Sequence, residues 1–167
     1  LVDRGGAMAK ILMIHPDKCT GCRNCELACS FVKHGDFQPV VSRVHAYVWE
    51  REGISVPMMC QQCDDAPCVT VCPTGAMHRS TEMPNLVDWD ERLCIRCKMC
   101  TMACPFGNAR YDAASAMILK CDTCQGEPEC VAFCPSGALE FVDDTEHVRA
   151  RKKAYAAKLK DAFQEVS

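Results

Sequence analysis

The sequence predicts a small α+β fold made of two copies of one unit, in which short strands and short helices surround groups of cysteines. Three observations predict it: 16 of the 167 residues are cysteine, the cysteines fall into four sets with a common spacing, and the segment that closes a set recurs. Self-similarity of this kind indicates a duplicated structural unit.

Each cysteine set opens with Cys-x2-Cys and closes with x3-Cys, and the four sets use every cysteine in the chain. Numbered in chain order, set 1 is Cys19, Cys22, Cys25 and Cys29, set 2 is Cys60, Cys63, Cys68 and Cys72, set 3 is Cys94, Cys97, Cys100 and Cys104, and set 4 is Cys121, Cys124, Cys130 and Cys134. Sets 1 and 3 have the Cys-x2-Cys-x2-Cys-x3-Cys spacing of bacterial ferredoxins. Sets 2 and 4 have a longer middle gap.

The closing segments reveal the repeat. Residues 72–77 read CPTGAM and residues 134–139 read CPSGAL. Set 3 also closes with a Cys-Pro pair, whereas the closing cysteine of set 1 is followed by Ser30. Duplication of an ancestral unit is the simplest account of these similarities.

A short apolar segment precedes each set, which predicts a short strand before each one. The predicted strands are 11–14, 54–58, 86–89 and 117–119. Between the third and fourth cysteines we expect a helical turn, as at 26–28 and 101–103, which proline stops where it follows the set. Apolar residues at helical spacing predict an amphipathic C-terminal helix over 145–167, packed on its own domain or on a partner subunit.

Residues 1–7 precede a natural-looking start at Met8, and we expect them to be an expression remnant. The sequence shows neither a secretion signal nor an apolar run long enough to cross a membrane. We therefore expect a cytoplasmic protein with no direct membrane span, in which clustered cysteines are metal ligands rather than disulfides.

Charge disfavours nucleic acid as a partner. The formal net charge is −3 with neutral cysteines, and metal-bound thiolates would add roughly −8 for four iron-sulfur clusters. A phosphate-binding surface needs a basic stripe instead.

The cysteine spacing favours 4Fe-4S clusters over zinc. Structural zinc sites usually use two Cys-x2-Cys pairs separated by a longer loop. Three closely spaced cysteines with one remote cysteine suit a cube, which needs one thiolate for each of its four irons. Sixteen cysteines therefore predict four 4Fe-4S clusters.

Segments 19–25, 60–68, 94–100 and 120–124 resemble a known family: the four-cluster iron-sulfur subunits of molybdenum and tungsten oxidoreductases, of the dimethyl sulfoxide reductase and formate dehydrogenase type. The chain is most similar to the small subunit of tungsten aldehyde oxidoreductases of the aldehyde:ferredoxin type. Equivalent subunits of benzoyl-CoA reductase, carbon monoxide dehydrogenase, formate dehydrogenase and hydrogenase are also similar.

The resemblance implies that sets 1 and 4 exchange their closing cysteines, and that sets 2 and 3 do the same. Each cluster is numbered after the set that supplies three of its ligands. Cluster 1 would be held by Cys19, Cys22, Cys25 and Cys134, cluster 4 by Cys121, Cys124, Cys130 and Cys29, cluster 2 by Cys60, Cys63, Cys68 and Cys104, and cluster 3 by Cys94, Cys97, Cys100 and Cys72.

The same resemblance implies an inserted ferredoxin-like unit, residues 58–109, within an outer unit made of residues 8–57 and 110–144. Spacing alone leaves a second arrangement open, in which set 1 pairs with set 2 and set 3 with set 4.

The sequence contains no phosphate-binding loop, no GxGxxG turn and no recognisable nucleophile-base pair. We therefore expect an electron-transfer subunit without catalysis of its own, between a catalytic molybdenum- or tungsten-type subunit and a flavoprotein or ferredoxin. A redox sensor and a multi-copy stacking scaffold are the alternatives. Charged residues beside the ligands either shift cluster potentials, dock an acidic partner or are simply solvated: Lys18, Arg23, Arg96, Lys98 and Lys120.

Overall fold

All regular β-structure in the described part of the chain consists of two-stranded antiparallel sheets. The computed structural model describes residues 10–83, 85–145 and 150. The strands are β1 (Lys10–Ile14), β2 (Val44–Trp49), β3 (Ile54–Met59), β4 (Met77–Arg79), β5 (Val87–Trp89), β6 (Arg110–Asp112), β7 (Met117–Leu119) and β8 (Leu139–Asp143). The pairs are β1 with β8, β2 with β3, β4 with β5, and β6 with β7.

The four predicted strands are confirmed as β1, β3, β5 and β7, each within one residue of its expected bounds. Their partner strands were not predicted. β1 and β8 join the two ends of the described chain, with Ile14 opposite Leu139 and Lys10 opposite Asp143. This pairing places sets 1 and 4 next to each other.

One helix follows the opening loop of each set and contains its third cysteine. The helices are α1 (Asn24–His34), α2 (Pro67–Thr70), α3 (Met99–Ala103) and α4 (Glu129–Ala132). α1 is longer than the predicted turn because Ser30 stands where the other sets have proline, so the helix continues. It ends at Gly35, whose backbone is left-handed (φ 74°) and whose N–H bonds the carbonyl of Phe31 at 2.7 Å.

Helix packing and apolar burial follow the same grouping of sets. α1 packs against α4, and α2 packs against α3. The first core contains residues from sets 1 and 4 together with β1, β2, β3 and β8: Leu12, Cys25, Cys29, Val44, Met59, Cys130 and Leu139. The second core gathers residues around sets 2 and 3: Ala66, Met77, Val87, Cys100 and Ile118.

The predicted helix over 145–167 lies almost entirely outside the described residues. Within the described ranges, no helix has the length and apolar character that crossing a bilayer requires.

Candidate iron-sulfur centre

All four Cys-x2-Cys loops share one backbone feature. The residue immediately before the second cysteine is left-handed in every set: Gly21 (φ 68°), Gln62 (φ 47°), Arg96 (φ 60°) and Thr123 (φ 53°). Left-handed backbone turns successive N–H groups toward one concave side, a geometry that binds anions and recurs at iron-sulfur sites. Only glycine adopts it without a steric cost. The loops therefore have the backbone conformation that suits an anionic cluster, even where the residue type opposes it.

Sets 1 and 3 repeat the feature two residues later. Arg23 (φ 60°) and Lys98 (φ 63°) are left-handed and immediately precede α1 and α3. These two sets, which have the same cysteine spacing, thus have matching backbones from the first cysteine into the helix.

The third cysteines of sets 1, 3 and 4 are buried: Cys25, Cys100 and Cys130. Burial, with a contribution from Glu26, raises the pKa of the Cys25 thiol to about 12. Burial also raises the pKa of Cys100 to about 11 and raises that of Cys130 strongly. Without metal these thiols stay protonated, because an isolated thiolate is costly in the interior. Iron binding replaces the proton and supplies the compensating charge.

The fourth cysteine of each set accepts a backbone hydrogen bond. The N–H groups of Arg43, Met77 and Asn108 lie 3.3 Å from the sulfurs of Cys29, Cys72 and Cys104, respectively. The backbone of Leu139 interacts in the same way with Cys134. Hydrogen bonds to a ligand sulfur are among the means by which a protein tunes a cluster.

The repeated Cys-Pro-Thr/Ser-Gly-Ala segments explain two of these bonds. Gly75 and Gly137 have left-handed backbones (φ 67° and 65°), and each N–H bonds the carbonyl of its closing cysteine at 3.4 Å. Although burial acts to raise the pKa of Cys72, the backbone N–H of Met77 and the hydroxyl of Thr74 outweigh it and lower that pKa. The repeated segment is thus a loop that donates hydrogen bonds to the sulfur of the closing cysteine.

Two cavities collect cysteines from different sets. The first is lined by Cys29 of set 1 and by three cysteines of set 4: Cys121, Cys124 and Cys130. The second is lined by Cys72 of set 2 and by three cysteines of set 3: Cys94, Cys97 and Cys100. Each cavity therefore combines the closing cysteine of one set with the first three cysteines of another.

The surroundings of most of the other cysteines are known from the cysteines and core residues near them. Burial raises the pKa of Cys63, and the nearby Cys60 and Cys104 raise it further. Cys104 is also close to Cys68. Cys19 and Cys22 lie near Cys25, and Cys134 packs against the first core, which contains Cys25.

Each cavity also has a buried N–H donor that bonds no atom of the described structure. These donors are Nε of Arg43, a residue that lines the first cavity, and Nε1 of Trp89, a residue that lines the second. A buried donor without an acceptor is unfavourable. The inorganic sulfides and thiolates of a 4Fe-4S cluster are acceptors, so the donors and the cysteines of each cavity fit such a cluster.

In the described part of the chain, the cysteines form neither a disulfide nor a site for a single metal ion. All sixteen cysteines are free. A zinc ion holds its sulfur ligands about 2.3 Å from one point, and no group of three or more potential ligands among the described residues is arranged around a single ion. Eight of the sixteen cysteines line the two cavities instead.

An ion pair joins the helix of set 1 to the loop of set 4. Lys33 Nζ lies 2.6 Å from the carboxylate of Asp122, and both side chains are largely buried. Burial acts to raise the pKa of Asp122, but Lys33 outweighs it and holds that pKa below its usual range. Sets at opposite ends of the chain are therefore tied by a charge pair that the sequence alone did not reveal.

Of the five charged residues predicted to lie beside the ligands, four are exposed and one is buried. The exposed residues are Lys18, Arg23, Arg96 and Lys98. Lys120 is only 8% exposed.

Comparison with known proteins agrees with this chemistry. Residues 52–144 match the family described as the 4Fe-4S dicluster domain, and residues 12–31 match the 4Fe-4S binding domain. The chain belongs to the 4Fe-4S dicluster domain family.

Several relatives of this chain are subunits of oxidoreductases. It is 38% identical over 164 residues to the probable anaerobic dimethyl sulfoxide reductase chain YnfG of Escherichia coli K12, covering 86% of this chain and 78% of that one. It is 42% identical over 123 residues to the polyferredoxin-like subunit of aliphatic sulfonate oxidoreductase of Pyrococcus furiosus, covering 74% of this chain and 70% of that one.

A third relative is much longer. The beta subunit of NADH-dependent phenylglyoxylate dehydrogenase of Aromatoleum evansii is 37% identical over 141 residues, which is 82% of this chain but only 31% of that subunit.

The predicted resemblance to four-cluster iron-sulfur subunits is confirmed by these matches. So are the predicted role in electron transfer and the four 4Fe-4S clusters.

Proposed function

We propose that the chain holds its four clusters through exchanged closing cysteines and carries electrons between two partners that dock at opposite ends of the cluster series. When bound, each cluster accepts or releases one electron. The observation that carries the proposal is the composition of the two cavities, each of which is lined by three cysteines of one set and the closing cysteine of another.

The proposed ligand assignment follows from that observation. Cys29 completes cluster 4 and Cys72 completes cluster 3, because each lines the corresponding cavity. The proximity of Cys104 to Cys63 and Cys68 supports its place in cluster 2. The remaining closing cysteine, Cys134, completes cluster 1. Its packing on the core that contains Cys25 is consistent with that assignment.

Electrostatic interactions between ligands of different clusters support the order 1, 4, 2, 3. Cys25 of cluster 1 lies close enough to Cys130 of cluster 4 to add to the effect of burial in raising its pKa. Burial raises the pKa of Cys121 in cluster 4 to about 12, and Cys60 of cluster 2 contributes. Clusters 4 and 2 are therefore the middle pair.

Cluster 3 is last in the proposed order. Burial raises the pKa of Cys100 in cluster 3, and the neighbouring Cys68 of cluster 2 contributes. Clusters 1 and 3 are then the two ends. The exposed cysteines belong to these clusters, Cys22 to cluster 1 and Cys97 to cluster 3.

Exposed ligands at both ends support one redox partner at each end. The names of the relatives indicate a catalytic oxidoreductase subunit as one partner. A molybdenum- or tungsten-type enzyme of the aldehyde oxidoreductase kind, with a flavoprotein or ferredoxin as the second partner, remains our prediction. Sixteen free cysteines suit the reducing cytoplasm.

Packing in the two cores supports two ferredoxin-like units, one inserted in the other. The boundaries that we propose differ from those expected from the sequence. β3 continues to Met59, which belongs to the first core, so we place the first boundary after that residue rather than after residue 57. Tyr111 and Ile118 of the β6-β7 hairpin pack with the second core. We therefore extend the inserted unit from residue 109 to residue 119.

The proposed function is tested by loading the full chain with iron and sulfide under anaerobic conditions and titrating it with a reductant. We expect about 16 iron and 16 sulfide per chain, four one-electron reductions, and reoxidation by an added one-electron acceptor. Zinc without sulfide, or fewer than four reducible centres, would contradict the proposal.

A further inference from the structure

Lys120 has a different environment from the other charged residues beside the cysteines. Its side chain is buried with 8% exposure, whereas Lys98, which stands beside Cys97, is exposed. A buried ammonium is unfavourable unless hydrogen bonds and an opposite charge compensate for its lost hydration.

The ammonium of Lys120 donates hydrogen bonds to neutral oxygens. These bonds satisfy its N–H groups but do not neutralise its positive charge. Lys120 Nζ donates to the backbone carbonyl of Val87, to that of Cys121 at 3.1 Å, and to Oε1 of Gln62 at 3.4 Å. Across the described ranges, Lys120 forms no ion pair with an aspartate or glutamate. Its positive charge therefore has no carboxylate partner there.

Gln62 fixes Lys120 between two cysteine loops. Gln62 lies between Cys60 and Cys63 in the opening loop of set 2, and its Nε2 donates to the carbonyl of Cys121 in set 4 at 2.9 Å. Its Oε1 accepts from the N–H of Val87 at 2.9 Å as well as from Lys120. Lys120 thus lies where the loops that hold clusters 2 and 4 meet.

Lys120 interacts electrostatically with one thiol of each middle cluster. Burial raises the pKa of Cys68 and of Cys121, and Lys120 opposes that rise at each sulfur. Cys68 is a ligand of cluster 2 and Cys121 is a ligand of cluster 4 in the proposed assignment. Thiolates held by iron are therefore the negative charges that the ammonium faces.

We propose that Lys120 is the buried counter-charge of clusters 2 and 4 and raises the reduction potential of both. This inference rests on the proposed ligand sets. A cluster with four thiolates has a net charge of about −2 when oxidised and about −3 when reduced. Because reduction adds one electron and no proton, a fixed positive charge stabilises the reduced form more than the oxidised form.

The test is potentiometric titration of the full chain carrying four clusters, with reduced clusters counted by electron paramagnetic resonance. In Lys120→Gln, we expect two of the four one-electron steps to move to lower potential. Each should change its equilibrium constant for reduction by roughly tenfold, which corresponds to 59 mV for one electron. The control Lys98→Gln removes the same charge at an exposed position, and should leave these two steps in place.

Four reductions at unchanged potentials in Lys120→Gln would overturn the inference, while the proposed function would stand. Lys120→Arg, which keeps the charge, distinguishes charge from packing. It supports the inference if its potentials are close to those of the unmodified chain, and overturns it if they fall as in Lys120→Gln. Loss of clusters in both variants would show that Lys120 is only structural, and the inference would fail.

Discussion

Cys29 and Cys130 line one cavity, although they belong to the first and the last cysteine sets of the chain. β1 and β8 bring the two sets together, α1 packs on α4, and the ion pair of Lys33 with Asp122 joins α1 to the opening loop of set 4. A cluster bound in this cavity would link the two ends of the described chain covalently through iron. Ligand exchange would then stabilise the fold as well as place the cofactor, because metal binding energy contributes to folding.

The opening loop of set 1 depends on Gly21. A Cβ at this position would lie 2.8 Å from Ser55 Oγ and 3.2 Å from Val48 Cγ2, and the backbone is left-handed (φ 68°). We expect Gly21→Ala to lower the free energy of unfolding by about 1–2 kcal/mol for the backbone and by about 1–3 kcal/mol more for the contacts. It should also reduce the iron content.

Gly53→Ala is the matched control for this loop. Gly53 has nearly the same backbone (φ 67°), but nothing lies within 4 Å of an added Cβ. Only the backbone cost of about 1–2 kcal/mol should remain, with the iron content unchanged. Denaturant unfolding and iron analysis measure both variants, and equal losses in the two would contradict the steric role of Gly21.

Trp89 is expected to influence cluster 3. Its buried Nε1–H bonds no acceptor in the described structure, and its side chain lines the cavity that contains Cys94, Cys97 and Cys100. If the indole donates to a sulfur of the bound cluster, Trp89→Phe removes a hydrogen bond that favours the more negative, reduced form. The potential of one cluster should fall by roughly 30–60 mV, on a scale of 59 mV for each tenfold change.

Trp49→Phe provides the comparison, since Trp49 is 49% exposed in β2. It should leave all four potentials in place. A Trp89→Phe chain with four clusters and unchanged potentials would show that the indole only fills space.

Glu26 ties α1 to β2 through a buried carboxylate. Its Oε1 accepts the N–H of Ala46 at 2.6 Å, and the residue is only 4% exposed. Glu26→Ala leaves that buried N–H without an acceptor, which costs about 1–3 kcal/mol, whereas Glu26→Gln keeps an amide oxygen in reach. We expect the alanine variant to be less stable than the glutamine variant by that amount in urea unfolding. Equal stability of the two variants would exclude the structural role of the hydrogen bond.

The sequence predicted the cysteine chemistry and half of the strands, because both follow from local patterns. The missed strands β2, β4, β6 and β8 are defined by pairing rather than by their own composition. The length of α1 was missed as well, although Ser30 in place of proline was visible. Proline stops a helix, whereas its absence does not say where the helix ends, and Gly35 sets that point.

Other parts of the site depend on tertiary structure, which no local pattern encodes. The left-handed backbones of Gln62, Arg96 and Thr123 oppose the preference of their residue types, so composition gives no signal for them. In the sequence, Lys120 and Lys98 are both lysines beside a cysteine, and nothing distinguishes them. Only the folded structure shows that Lys120 is buried and Lys98 is exposed. The sulfur-bonding N–H groups belong to the backbone, although the repeated CPTGAM and CPSGAL segments pointed to a shared loop.

The ligand exchange is tested most directly by counting intact clusters in a triple variant in which Cys29, Cys121 and Cys124 are all replaced by serine. If the three cysteines hold one cluster, this chain should lose only that cluster and keep about 12 iron in three 4Fe-4S clusters. The control replaces Cys134, Cys121 and Cys124, which should damage two clusters and leave less iron. Equal iron in the two variants, or more iron in the control, would contradict the exchange of closing cysteines between sets 1 and 4.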